Sequence, residues 1–325
     1  MAKYLITGVA GFIAARVAEF LLEDNHTVIG VDNLDNAYDV RMKNYRLQRL
    51  RERSGFTFQK MDIADRDAVE HIFEKWKSID AVINLAARAG VRASLENPWI
   101  YTQTNVTGTL NLLESCRQQG IKKFILASSS SVYGDNAPLP TPEETDTNHP
   151  LSPYAASKKS AEVLCHTYHY LYDLDVTVFR YFTVYGPAGR PNMAMFRFAQ
   201  WIFEEQGVQI YGDGNQTRGF TYVDDIAIGT ILGLVPVGYE IINLGGHETI
   251  KIIDLVHMFE EIIEKKAQVG FHPRHPADVL DNWADVNKAG KLLGWEPQVS
   301  LGTGVRRMID WYREERSWAS QISTE

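Results

Sequence analysis

Tyr154 and Lys158 stand four residues apart in the run Pro153-Tyr154-Ala155-Ala156-Ser157-Lys158, and on a helix that spacing puts both side chains on one face. An ammonium beside a phenol favours the phenolate, so a group that ordinarily loses its proton near pH 10 becomes a usable base close to neutrality. A tyrosine and a lysine at this spacing are common by chance and mean little alone. Upstream, an apolar run ends in Ala127-Ser128-Ser129-Ser130-Ser131-Val132-Tyr133-Gly134. Hydroxyls at the carboxyl end of a strand in an open α/β sheet face the crevice where ligands bind; elsewhere a serine run is only a polar loop.

A second group of residues reads as a dinucleotide site. Thr7-Gly8-Val9-Ala10-Gly11-Phe12-Ile13-Ala14 follows the first apolar run and opens a helical pattern. Gly8 and Gly11 let backbone approach a pyrophosphate, whose charge the N–H groups and dipole of a helix start favour. Asp32 ends the next apolar run, 32 − 8 = 24 residues after Gly8, near the spacing of the acid that binds the adenine ribose hydroxyls. A carboxylate there repels a 2′-phosphate, which selects NAD over NADP. Asp62, after the third run, is placed either to accept from the adenine amino group or to cap the helix that begins near Asp65.

Short apolar or β-branched runs at Tyr4–Thr7, Thr27–Val31, Phe56–Lys60, Ala81–Asn84, Phe124–Ala127 and Val176–Arg180 must carry these groups. They alternate with helical patterns near Phe12–Glu23, Arg41–Arg53, Asp65–Trp76, Pro98–Gln118 and Pro153–Tyr172. That alternation predicts an α/β fold, a doubly wound parallel sheet of the Rossmann kind. After Thr183 glycines and prolines cluster at Gly186–Pro191 and Gly212–Gly219 and the alternation loosens, which predicts a smaller C-terminal α/β substrate domain. The expected division is 1–183 for the dinucleotide and 184–325 mainly for the substrate, with some later segments returning to the first sheet. The cleft between the two is the expected ligand site. The polar tail Ser317–Glu325 is expected to fray.

Composition narrows the partners. With 325 residues, 45% hydrophobic and 23% charged, the chain can build a sizeable core and is neither fibrous nor disordered. Its 33 basic against 41 acidic side chains give 33 − 41 = −8, the wrong sign for a protein held to a phosphate backbone by counterion release, so no nucleic-acid partner is expected. Neither a membrane span nor a leader pattern is visible, which predicts a cytoplasmic protein without membrane attachment. Cys116 and Cys165 fall in amphipathic patterns and are expected to be buried, inert thiols. The pairs His166–His169 and His272–His275 have ligand-like spacing, but no acidic or cysteine partner converges on them in the sequence and no metal is expected.

Together, TGVAGFIA, Asp32, NLAARAGVR at 84–92, SSSSVYG at 128–134, YAASK at 154–158 and RYFTVYGPAGRP at 180–191 resemble the extended short-chain dehydrogenase/reductase superfamily, specifically its NAD-dependent nucleotide-sugar epimerases and dehydratases. YGDGNQTRGFTYVDDI at 211–226 and PADVLDNWADVNK at 276–288 resemble the family's nucleotide-binding segments. The resemblance implies bound NAD, a UDP-sugar substrate, and a homodimer paired through the helices Pro98–Gln118 and Pro153–Tyr172. It implies that Tyr154 is the base for the sugar 4-hydroxyl, that Lys158 holds the nicotinamide ribose and tunes Tyr154, and that Ser129 completes the triad. The cofactor would also meet Gly8, Gly11, Phe12, Ile13, Asp32, Asn33, Asp62, Ile63, Leu85, Ala86 and Ala87. Similar 4,6-dehydratases carry an Asp-Glu pair where this chain has Ser130 and Ser131, and similar uronate decarboxylases carry Glu at the second place. Bare hydroxyls there fit a 4-epimerase, whose chemistry is hydride out and hydride back.

The segment 183–194 resembles that of UDP-glucuronate 4-epimerases, which carry Asp where this chain has Asn192. A 4-keto uronate is a β-keto acid and loses carbon dioxide when its carboxylate turns perpendicular to the carbonyl plane, so an epimerase must hold that group still. Arg190 offers a planar fork for it and Thr183 a hydroxyl; Arg190 as a surface or dimer-contact residue is the alternative. Arg92, Ser94, Ser130 and Arg218 are candidates for sugar and diphosphate, and Asp278 for the nucleotide ribose. Two rival readings of the whole chain stand beside this one: a 4-epimerase of neutral UDP-hexoses, and a catalytically idle NAD-binding regulator. The chain departs from the family pattern at Ala14, Ala15 and Arg16, where Gly-Ser-His is usual. Alanine is tolerated as the third fingerprint residue, whereas Ala15 and Arg16 put contacts around the cofactor in question. Gly219 stands where an acid is common, which leaves Arg218 without its familiar neighbour.

Overall fold

The computed structural model describes residues 1–135, 137–246, 248–274, 279 and 281–324. In chain order the strands are β1 (Lys3–Thr7), β2 (Thr27–Asp32), β3 (Phe56–Lys60), β4 (Ala81–Asn84), β5 (Lys123–Ser129), β6 (Asp175–Tyr181), β7 (Thr183–Tyr185), β8 (Val208–Tyr211), β9 (Thr217–Tyr222), β10 (Tyr239–Leu244), β11 (Glu248–Lys251) and β12 (Val269–His272). The helices are α1 (Phe12–Glu23), α2 (Val40–Arg51), α3 (Arg66–Lys75), α4 (Val91–Glu96), α5 (Pro98–Tyr101), α6 (Gly108–Gln119), α7 (Pro153–Tyr172), α8 (Ala194–Phe203), α9 (Val223–Leu232), α10 (Ile252–Ile263), α11 (Asn287–Leu293) and α12 (Leu301–Ala319).

Seven strands form one parallel sheet in the order β10-β6-β5-β4-β1-β2-β3. The period of two along each strand divides its side chains between the faces. Leu5, Val82, Phe124, Leu126 and Val178 pack with residues of α3, α6 and α7, while Ile6, Val28, Ile83, Ile125 and Ile242 pack with residues of α1, α9 and α11. The order reverses between β1 and β4, and the carboxyl ends of these strands flank the crevice where such sheets take ligands. β10, after residue 183, extends this sheet beyond β6. A three-stranded sheet, β11-β9-β7, and the pair β12-β8 pack with α8, α10 and α12 around a second core that includes Phe196, Phe220, Leu255, Phe259, Val305 and Tyr312.

Three local readings change. The tail expected to fray is packed: α12 runs to Ala319, Ile322 is buried, and Gln200 donates to the Ile322 carbonyl at 2.9 Å. The expected helix over Pro98–Gln118 is interrupted by a π-helical turn at Thr102–Thr107. There the buried Asn105 amide donates to the Arg88 carbonyl at 2.9 Å and to Ser157 Oγ at 2.8 Å. The next residue but two, Gly108, lies so close to Ile63 that a Cβ would stand 2.6 Å from its side chain. Such bulges commonly mark functional segments. The helix expected from Asp65 begins at Arg66, with the Asp65 carboxylate accepting from Ala68 N at 3.1 Å. Asp65, not Asp62, is therefore the cap. Cys116 and Cys165 are both buried, and burial pushes both thiols up.

Candidate active site

The turn after β1 is built around Gly8, at φ +67°, whose carbonyl accepts from Gly11 N at 2.7 Å. A Cβ on Gly8 would stand 2.7 Å from Ala86 Cα and 2.8 Å from Ala86 N, so only glycine lets this turn lie against the segment after β4. A Cβ on Gly11 would meet the Gly8 carbonyl at 2.8 Å. α1 starts there, with no acid in its first turn, and its first N–H groups and dipole face the crevice with positive character. Leu85, Ala86 and Ala87 line the other side, Ala86 N donating to Thr7 Oγ1 at 3.0 Å.

Asp32 closes β2 and is buried. One oxygen accepts from Ala10 N at 3.2 Å; the other accepts from Leu34 N at 2.8 Å and lies 3.3 Å from Lys43 Nζ. Beside it Asn33 donates to Asp62 at 2.8 Å, and Asp62 accepts from Ala64 N at 2.8 Å. Ile63 is buried, its carbonyl accepting from Asn111 at 2.9 Å. A cradle that any Cβ would fill, a positive helix start at Phe12 and Ile13, and a carboxylate one strand over fit a dinucleotide.

Ser152 starts α7 by accepting from Ala155 N at 3.2 Å, with Pro153 in the first turn. This places Tyr154 and Lys158 on the buried face, against the end of β5. Lys158 Nζ donates to the Ala127 carbonyl at 2.9 Å. Two residues on, the Ser129 hydroxyl accepts from Ser131 N at 3.2 Å. Burial raises the Tyr154 pKa, while Ser129 and the Arg190 cation oppose the rise. Burial lowers Lys158 to about 8, against the attraction of Glu162. Glu162 is held by Arg180 at 3.0 and 2.8 Å and by Ser128 at 2.6 Å. The Tyr101 ring stands edge-on to Tyr154, centroids 6.1 Å apart.

Arg190 follows β7 and reaches the same place. Burial raises the pKa of both Tyr154 and Tyr101, and the Arg190 cation opposes that rise in each; its Nη2 donates to the Ala89 carbonyl at 3.4 Å, and its Nε is buried with no partner among the described residues. Its buried Nε stands against the surface alternative. Thr183 begins β7 opposite Phe220 of β9. Asn192 Oδ1 is likewise buried and has no partner among the described residues. A phenol that can take a proton once it is ionised, with a planar cation nearby, suits oxidation of a hydroxyl on a ligand that carries an anionic group.

A family model described as GDP-mannose 4,6 dehydratase matches residues 5–308. The chain belongs to this family of NAD-dependent epimerases and dehydratases. A protein of Thermodesulfobacterium geofontis named UDP-glucuronate 4-epimerase is 55% identical over 97% of this chain and 97% of its own length. A Bacillus cereus UDP-glucuronic acid 4-epimerase, solved in complex with UDP-glucuronic acid and NAD, matches with a TM-score of 0.90 at 37% identity, over 96% of this chain and 99% of that one. A Thermotoga maritima UDP-glucose 4-epimerase, solved with UDP-glucose, matches with a TM-score of 0.89 at 32% identity, over 97% and 99%.

Within this epimerase and dehydratase family, the chain's departures have physical reasons. Arg16 points away from the cradle: it grips Asp224 of α9 at 2.7 and 3.1 Å and Glu19 at 2.7 Å, joining α1 to α9. Gly219 has no room for a side chain, because a Cβ would stand 2.7 Å from Gly246 Cα and closer still to its carbonyl oxygen. Arg218 finds its neighbours in main-chain carbonyls, Thr217 at 2.9 Å and Val279, and with them it holds the strand-like segment around Asn282 against β9. Asn282 in turn donates to Ser130 Oγ at 3.1 Å. Arg92 lies over the Tyr211 ring, 4.5 Å from its centroid. Ser94 is buried and donates to the Val91 carbonyl at 2.6 Å. Asp278 lies outside the described residues. Lys43, Arg46, Tyr101, Asn105 and Asn282 carry no local sign in the sequence, since their contacts come from distant segments.

Proposed function

We propose that this protein epimerises UDP-glucuronate to UDP-galacturonate at C4 through a 4-keto intermediate. NAD, when bound, accepts the C4 hydride and returns it to the opposite face. Gly8, Gly11, Phe12, Ile13 and Asp32 would hold it, with Asn33, Asp62, Ile63 and the segment 85–87 along its length. Tyr154 takes the 4-hydroxyl proton and gives it back, Ser129 steadies the same oxygen, and Lys158 keeps positive charge near the phenol. Arg190, with Thr183, holds the C6 carboxylate, and Arg92, Ser130 and Arg218 lie toward the rest of the UDP-sugar. The placement of Arg190 beside Tyr154 carries this reading, and the 55% identical relative supports it. Elimination of a 6-hydroxyl, the dehydratase reaction of the family description, requires an acid/base pair, and at 130 and 131 the chain offers only hydroxyls.

The division at residue 183, with β10 and α9 returning to the first sheet, belongs to the same proposal, as does a homodimer. A nucleotide-linked substrate, and the lack among the described residues of a helix long and apolar enough to cross a membrane, favour a cytoplasmic place. The test is chromatography of UDP-sugars after incubation with wild type and Arg190→Ala. Wild type should convert UDP-glucuronate to UDP-galacturonate. Losing a charge-assisted bond worth roughly 1.5–3 kcal/mol should cut the variant's turnover about 10- to 100-fold. The residual turnover should leak a pentose, because an unrestrained carboxylate can rotate and leave. Equal losses on UDP-glucuronate and UDP-glucose would remove the case for a uronate and favour the neutral-hexose reading.

A further inference from the structure

Arg46 belongs to none of the motifs above, yet it is 4% exposed and its cation sits between two loops. Nε and Nη2 donate to the Ala188 carbonyl at 3.0 and 2.6 Å, and Nη2 also to Gly189 O at 3.2 Å. Nη1 donates to the Ala10 carbonyl at 3.1 Å and to the Tyr38 hydroxyl at 2.9 Å. These bonds use all the donors a guanidinium has. Apart from the Tyr38 hydroxyl they end on main-chain carbonyls, none on a carboxylate, and the Phe12 and Tyr38 rings lie 5.9 and 5.6 Å away.

The two loops are those that matter. Ala10 lies in the glycine turn, and its N–H donates to Asp32. Ala188 and Gly189 immediately precede Arg190. Ala188 stands at φ +52°, a left-handed conformation that alanine rarely adopts, so an outside hold must fix it. Arg46 supplies that hold at Ala188's own carbonyl.

We infer that Arg46 is a positioning residue for substrate choice: it ties the Arg190 loop to the glycine turn and keeps the carboxylate fork in register with the dinucleotide side of the site. The inference rests on the reading of Arg190 as the C6 carboxylate contact. A lysine keeps the charge but has one nitrogen on a straight stem and cannot bridge both loops. Loss of the bridge is felt by a charged sugar through Arg190 and leaves a neutral sugar largely untouched. A merely structural arginine would weaken both alike.

The experiment pairs amide hydrogen exchange of the unliganded protein with calorimetric titration of UDP-glucuronate and UDP-glucose. It uses wild type, Arg46→Lys, Arg190→Ala and the double variant. In Arg46→Lys, exchange over residues 186–191 should quicken by about tenfold or more while β5 and β6 keep their protection. UDP-glucuronate binding should weaken about tenfold and UDP-glucose binding by less than about threefold. In the Arg190→Ala background the second substitution should add less than about threefold, the mark of two residues acting as one unit. Unchanged exchange at 186–191, equal weakening toward both sugars, or fully multiplicative losses would each overturn the inference. Should Arg46→Lys fail to fold, Arg46→Gln, which keeps a planar donor, replaces it in the same comparison. A wild type that binds both sugars equally would sink the uronate reading, and exchange at 186–191 would still decide whether Arg46 fastens the loop.

Discussion

At the scale of single residues, the site sets two buried groups against their own preferences. Tyr154 is pushed up by burial, and Ser129 and the Arg190 cation oppose that rise. Tyr154→Phe keeps the ring and removes the acceptor, so turnover should fall by roughly 10²- to 10⁴-fold with UDP-sugar binding nearly unchanged by titration. Retention of more than half the activity would assign the proton to another residue. Lys158 falls from 10.5 to about 8 because its ammonium is buried, a cost on the order of 3 kcal/mol to the folded state while both states are charged. Below about pH 8 the full penalty applies. Between about 8 and 10.5 the folded state has shed its proton and the unfolded state has not, so stability rises with pH. Lys158→Met should therefore melt higher than wild type near neutrality, with the advantage fading as pH climbs through that window. An advantage constant with pH would point to packing of the methionine instead.

At the scale of elements, function depends on where helices and strands touch. The π-helical turn at Thr102–Thr107 turns Asn105 toward Ser157, one residue before Lys158, and so links α7 to the segment after β4. β9 meets the loop after β10 so closely that Gly219 and Gly246 lie backbone to backbone. Gly219→Ala should cost roughly 1–3 kcal/mol by overpacking and lower the melting temperature. Gly302→Ala, in α12 with nothing within 4 Å of the added methyl, should be neutral or stabilising, by up to about 1 kcal/mol from helix propensity. Equal melting shifts for the two would show that backbone freedom, not contact, governs position 219. Element types were legible in the sequence because period two and period 3.6 are local patterns: α1, β3, β4 and α7 fall where the pattern places them. The π-helical turn was not, since the contacts of Asn105 that accompany it come from α7 and the segment after β4.

At the scale of the whole molecule, apolar side chains stand in solvent on the helices proposed to pair. Trp99 is 79% exposed, and Val163 and Tyr170, seven residues apart on α7, are 54% and 78% exposed. Exposed apolar patches often mark interfaces, and the proposed pairing of these helices would cover such groups. Sedimentation should give twice the chain mass of 36.8 kDa, and Trp99→Glu with Tyr170→Glu should yield monomers; a monomeric wild type would refute the dimer. Sequence by itself determined the alternating elements, the glycine turn, Asp32 at the end of its strand, and the Tyr154–Lys158 pair, because each is set by residues within one or two turns of chain. Tertiary structure alone decided that Arg190 stands at Tyr154, that Arg16 serves α9 and not the cofactor, that Gly219 admits no side chain, and that Arg46 holds a loop 142 residues away. Those placements follow from packing between distant segments, where the excluded volume of a backbone or the demand of a buried cation for acceptors is met by residues that no local spacing connects.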